Sequence, residues 1–172
     1  MLQFPRAALA FILVLVTLLL PATASAAVQV HFYSREFGNH FPHAFIIVKG
    51  TLKANGAEVS ANYGFTAATV TPGILLGPVN GAVEPLRRAD LAGAERQFTL
   101  TIGDAAYARL VRKVAEYRAL KQPSYSLDKR NCVHFVMEMA ATLGLKVNRK
   151  SGFFRDPQGF LAEVRALNPQ LK

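Results

Sequence analysis

The chain carries one cysteine, Cys132, and four histidines, His31, His40, His43 and His134. A thiolate is a strong nucleophile, and an imidazole can take a thiol proton and later return it to a leaving group. Cys132 falls where a loop gives way to a helix, in Asn131-Cys132-Val133-His134-Phe135. Unpaired N–H groups and the positive end of the helix dipole meet at such a start and favour a thiolate, and Lys129 and Arg130 add positive potential. The same position equally suits a small hydrophobe packed at a helix start, so Cys132 by itself leaves both readings open.

Geometry sorts the histidines. His134 lies two residues after Cys132, about 200° around a helix, so the two side chains point apart. His31 falls on the polar side of an alternating strand and reads as a surface residue. His40 belongs to a loop, either solvated or beside a substrate. His43 immediately precedes the apolar run Ala44–Val48, and a rigid strand end is the better place to hold a catalytic ring. It is the expected base. Ser60, Asn62 and Tyr63 lie on the strand that should return beside it, and Asn62 is the expected third residue, orienting the imidazole. Strand register decides that choice. The oxyanion donors are expected to be the Cys132 N–H and Tyr125, Tyr125 having a packed aromatic as its alternative role. No metal ligand set at zinc-like spacing, phosphate loop, dinucleotide motif or paired glycosidase carboxylates stand out, so no cofactor is expected.

These residues need a scaffold, and the hydrophobic pattern predicts one. Val28–Tyr33 alternates as a half-buried strand, and Ala44–Val48 reads as a central strand covered on both faces. Asn55-Gly56 marks a hairpin turn, with Glu58–Tyr63 returning. Gly64–Asn80, rich in Gly, Thr and Pro, reads as a long loop that could cover the cleft. Gln97–Ile102 alternates again. Asp104 is the expected N-cap of a helix running to Leu120, a second helix starts near Cys132 and ends before Gly144, and Asp156-Pro157 opens a third. The predicted fold is α+β, a small, mainly antiparallel sheet with two or three helices packed on it.

Residues 1–26 read as a secretory signal peptide. Arg6 precedes the apolar run Ala8–Leu20, Pro21 breaks it, and Ala24-Ser25-Ala26 supplies small cleavage-site residues. That run is short for a membrane span, which needs about 20 residues, and no later run reaches that length. Residues 27–172 form one domain, expected in the periplasm or outside the cell. The lone cysteine excludes an internal disulfide. The net charge of +9 suits electrostatic association with anionic envelope surfaces, or simply a solvated basic surface. No basic stretch is interleaved with exposed aromatics, so nucleic acid is not an expected partner.

Several segments then occur in a familiar order: Pro42-His43-Ala44-Phe45-Ile46-Ile47-Val48, Asn62-Tyr63-Gly64, Thr71-Pro72-Gly73-Ile74-Leu75-Leu76-Gly77-Pro78, and Tyr125 through Phe135. Over roughly residues 28 to 145 the chain resembles the PPPDE thiol peptidases, which include the desumoylating isopeptidases. The Asn-Cys-x-x-Phe element is shared with lecithin-retinol acyltransferase-like and permuted NlpC/P60 proteins. The Pro-Gly-x-Leu-Leu-Gly-Pro segment points more narrowly to PPPDE. The resemblance implies a circularly permuted papain-like fold and a catalytic pair that maps onto His43 and Cys132. It implies a cysteine hydrolase of amide or isopeptide bonds. For an exported chain, peptidoglycan peptides are natural substrates. A thiol acyltransferase or lipase on envelope lipids, and a non-catalytic binding module, are the alternatives. The acyltransferase-like branch adds a second His on the next strand, and no His occurs here between His43 and His134.

Overall fold

The structure is a computed structural model and describes residues 27–36, 38, 41–86 and 91–171. The expected signal peptide and His40 lie outside the described residues. Five strands form one antiparallel sheet: β1 (Val28–Arg35), β2 (His43–Thr51), β3 (Glu58–Ala67), β4 (Gly81–Glu84) and β5 (Ala94–Ile102). Their spatial order is β4-β3-β2-β1-β5. The apolar run read as a central strand therefore occupies the middle of the sheet, with Ala44, Phe45, Ile46 and Val48 fully buried.

Three helices follow: α1 (Asp104–Arg118), α2 (Cys132–Thr142) and α3 (Pro157–Leu167). The core gathers the alternate residues Val28, Val30 and Phe32 of β1 with Ala44, Ile46 and Val48 of β2 and the apolar faces of the helices. Within it, α2 contributes Cys132, Val133, Phe135, Val136, Met137, Met139 and Ala140. Fully burying side chains of this size stabilises a fold by about 1.5–3 kcal/mol each before entropy is counted. The α+β expectation therefore stands as a five-stranded antiparallel sheet with three helices. No helix among the described residues is long and apolar enough to cross a membrane.

Two local expectations are corrected. The stretch Gly64–Ala67 is not loop but the far half of β3, because β4, which was not foreseen, pairs with it through Gly64↔Glu84 and Ala67↔Gly81. Gln122 ties down that short edge strand, accepting from Gly81 N–H at 2.8 Å and donating to Gly81 O at 2.9 Å. The remainder of the expected loop holds one 3-10 turn, Pro72–Leu75. Asp104 does not cap its own helix: Gly103 stands at the N-cap, and the Asp104 carboxylate accepts from the N–H groups of Lys53 (3.0 Å) and Ala54 (2.8 Å). It clips the tip of the β2–β3 hairpin, where Gly56 adopts a positive φ of 70° that glycine tolerates.

Candidate active site

The feature that makes a site is a change of partner along β3. Its ladder with β2 runs from Thr51↔Glu58 to Ile46↔Tyr63, and from Gly64 onward β3 pairs with β4 instead. The start of β2 is thus left open on that side, and the N-terminus of α2 packs there. The Ala44 N–H is directed at the sulfur of Cys132. Ala44 directly follows His43, so the chain places the nucleophile candidate beside the root of the base candidate. Both residues line one cavity of about 900 Å³.

Asn131 fixes the sulfur's position. It is the N-cap of α2, buried, and every hydrogen-bonding group of its amide is engaged. Its Oδ1 accepts from Val133 N–H (2.8 Å) and His134 N–H (3.2 Å), and its Nδ2 donates to Leu127 O and Phe154 O, both at 2.7 Å. Because this cap uses the second and third amides of the helix, it leaves the first, that of Cys132, to face the thiol. Asn131 was part of the sequence motif, but its anchoring role was not read there. An Asn directly before a helix start is the signal that carries it.

His43 is held by the sheet. Strand alternation puts it on the same face as Phe45, whose ring stacks on it with centroids 5.8 Å apart, and Phe45 in turn stacks on Tyr33 at 5.3 Å. The imidazole edge lies over Gly64: a Cβ there would stand 2.7 Å from His43 Nε2. Across the β1–β2 ladder His43 pairs with Arg35, which also lines the cavity and donates to Phe41 O at 3.2 Å. Glu84, the register partner of Gly64, brings a carboxylate to the same wall. Arg35 and Glu84 were missed in the sequence. Antiparallel return of the chain after Arg35 is what sets it opposite His43, and pairing of β3 with the unforeseen β4 is what brings Glu84.

The electrostatics differ from the helix-start expectation. Cys132 is only 5% exposed, and burial pushes its thiol above the ordinary value. The N–H groups of Ala44, Val133 and Cys132 and the charge of Arg35 oppose this without overcoming it. Desolvation of an anion outweighs a partial dipole charge and a few donors. The resting sulfur is therefore a neutral thiol, and the cation acting on it is Arg35, whereas Lys129 and Arg130 are exposed on the preceding turn. Tyr125 lines the cavity, and its phenol is pushed far up, by burial first and by nearby Cys132 second, so it stays a hydrogen-bond donor. Its backbone is bound both ways to Val79, N–H to O, at 2.9 Å.

Asn62 is not brought to this site. It pairs with Ile47, and its Oδ1 accepts from Leu86 N–H at 2.6 Å. His134 is turned to the helix cap, Nδ1 lying 3.0 Å from Asn131 Oδ1, and its ring stacks on Phe154 at 4.2 Å. Burial lowers its pKa, as it does for His31, which bonds to Thr99 Oγ1 at 2.8 Å. Among the described residues no cluster of three or more His, Cys, Asp or Glu is arranged to hold a metal ion. No family model matches the chain, and no curated protein or solved structure matches it.

Proposed function

We propose that the chain is an exported cysteine hydrolase that cleaves an amide or isopeptide bond through an acyl-enzyme on Cys132, with His43 as base. The observation that carries this reading is the sulfur at the first turn of α2, beside a cavity that His43 also lines, with the Ala44 N–H of β2 directed at it. A thiol packed only as core would need neither a donor from the sheet nor a cavity. The order of the parts, a histidine strand ahead of a cysteine helix, suits a permuted papain-like arrangement and the resemblance to the PPPDE peptidases.

Because the resting thiol is neutral, its proton leaves as the sulfur attacks. His43 takes that proton while the carbon–sulfur bond forms. The oxyanion is received by the Cys132 N–H, with Tyr125 as second donor. His43 then protonates the leaving nitrogen as the carbon–nitrogen bond breaks. Water adds to the thioester, the acid departs and the thiol is restored. In this reading Glu84 takes the orienting part first expected of Asn62. Peptidoglycan peptides fit an exported enzyme, and the net charge of +9 fits an anionic polymer.

The test is acetylation by p-nitrophenyl acetate. A burst of nitrophenolate with an acetyl group on Cys132 by mass spectrometry is expected, lost in Cys132→Ala and slowed about 100-fold or more in His43→Ala. No acetyl on Cys132 would leave a non-catalytic binding module, and equal rates with and without His43 would remove His43 as the base. One observation favours the lipid-directed alternative, a thiol acyltransferase or lipase: exposed Phe41, Val70 and Leu75 line this same cavity.

A further inference from the structure

The four most exposed large apolar side chains among the described residues are Leu76 (91%), Leu75 (77%), Phe41 (65%) and Val70 (56%). They come from two separate stretches of chain. Three of them, Phe41, Val70 and Leu75, line the cavity that Cys132 and His43 share, and Leu76 adjoins Leu75 at the end of the 3-10 turn. Side chains exposed singly need no explanation, but the most exposed ones gathering at one mouth mark an interaction face. The geometry points to an anionic phospholipid surface as the partner that this mouth docks on, with Leu75, Leu76 and Phe41 entering the acyl region and the surrounding cations meeting the headgroups.

Charge chooses among the occupants. A second copy of this chain would bring another +9 against the first, whereas an anionic bilayer brings the opposite sign. Of the acidic and basic side chains in the cavity wall, Arg35 and Arg155 are cations and Glu84 is the carboxylate; Arg155 is paired with Asp128, and Lys129 and Arg130 stand exposed on the turn leading to Cys132. A glycan or another hydrated polymer would meet the exposed Lys129 and Arg130 and leave adjacent leucines in water. A lipid surface meets both, because interfacial binding grows with buried apolar area and with anionic lipid. The docking does not depend on Cys132 being a nucleophile, so it stands or falls separately from the hydrolase reading.

The test uses the full chain and a local probe, since the apolar run Ala8–Leu20 would draw the chain to vesicles whatever this face does. The protein has no tryptophan, so Leu76→Trp introduces a single indole at the mouth and Val111→Trp one on the exposed flank of α1. Vesicles are phosphatidylcholine alone, or an equal mixture with phosphatidylglycerol. The expected result is a blue shift at position 76 with the anionic mixture, quenched by brominated acyl chains and weakened by salt, and none at position 111. Adding Leu75→Ser to Leu76→Trp should lower the ratio of docked to undocked indole, read from brominated-lipid quenching at saturating vesicles, about tenfold. Unshifted emission at 76, or equal responses at 76 and 111, would overturn the proposal. So would a shift at 76 that grows with protein concentration and needs no lipid, which would assign the face to a second copy.

Discussion

Cys132 shows how one residue answers to two opposed influences. The helix start and Arg35 pull its proton off and burial keeps it on, and burial wins. Iodoacetamide, which reacts with thiolate, should therefore label Cys132 more slowly than a free cysteine at neutral pH, and the rate should still be climbing beyond pH 9. A plateau near neutrality would contradict the neutral resting thiol. The same shift has a stability consequence. The folded chain keeps a thiol proton that the unfolded chain releases above about pH 8.5, so this contribution is complete below that pH and is lost as pH rises toward the folded value. Cys132→Ala should flatten the alkaline decline in denaturation midpoint relative to the parent protein. Asn131 belongs at this scale too. Asn131→Ala removes a cap and leaves Leu127 O and Phe154 O without their donor, at a cost of about 2–3 kcal/mol in urea denaturation. The acetylation burst should weaken in parallel. A variant as stable as the parent would show that the anchoring is dispensable.

At the scale of elements, the site is made by where strands part. β2 and β3 pair from the hairpin tip up to Ile46 and Tyr63, and the partner exchange at Gly64 opens the space into which α2 delivers its first residue. Gly64 also lies under the imidazole. Gly64→Ala forces the ring to move while demanding little of the backbone, so the fold should survive with unchanged far-UV circular dichroism. Acetylation of Cys132 should slow by up to about 100-fold, the effect expected when a reacting group is displaced by about 1 Å. Unaltered kinetics would show that the ring does not need this seat. The partner exchange also marks the limit of what the sequence could tell. The middle strand, the three helices, the hairpin turn and the placing of Cys132 at a helix start were legible, because each follows from a local periodicity or cap. The four-residue β4 carries too little pattern to announce itself. Without it neither the length of β3 nor the register that sends Asn62 toward Leu86 and Glu84 toward the cavity could be read. Asp104 misled for a related reason: an acidic residue at a helix start is a local signal, but its carboxylate is spent on backbone amides fifty residues away.

For the molecule as a whole, opposite ends of β2 do different work. One end holds His43 and the cavity with its apolar rim, and the other ends in the Lys53–Asn55 turn clipped by Asp104. The two are separated by eight strand steps from His43 to Thr51, roughly 26 Å along the strand. That distance makes the hairpin tip a natural handle. A fluorophore or a surface linker attached there would leave the mouth facing away from its support, free to meet whatever is offered in solution, and the clip would keep the attachment from swinging.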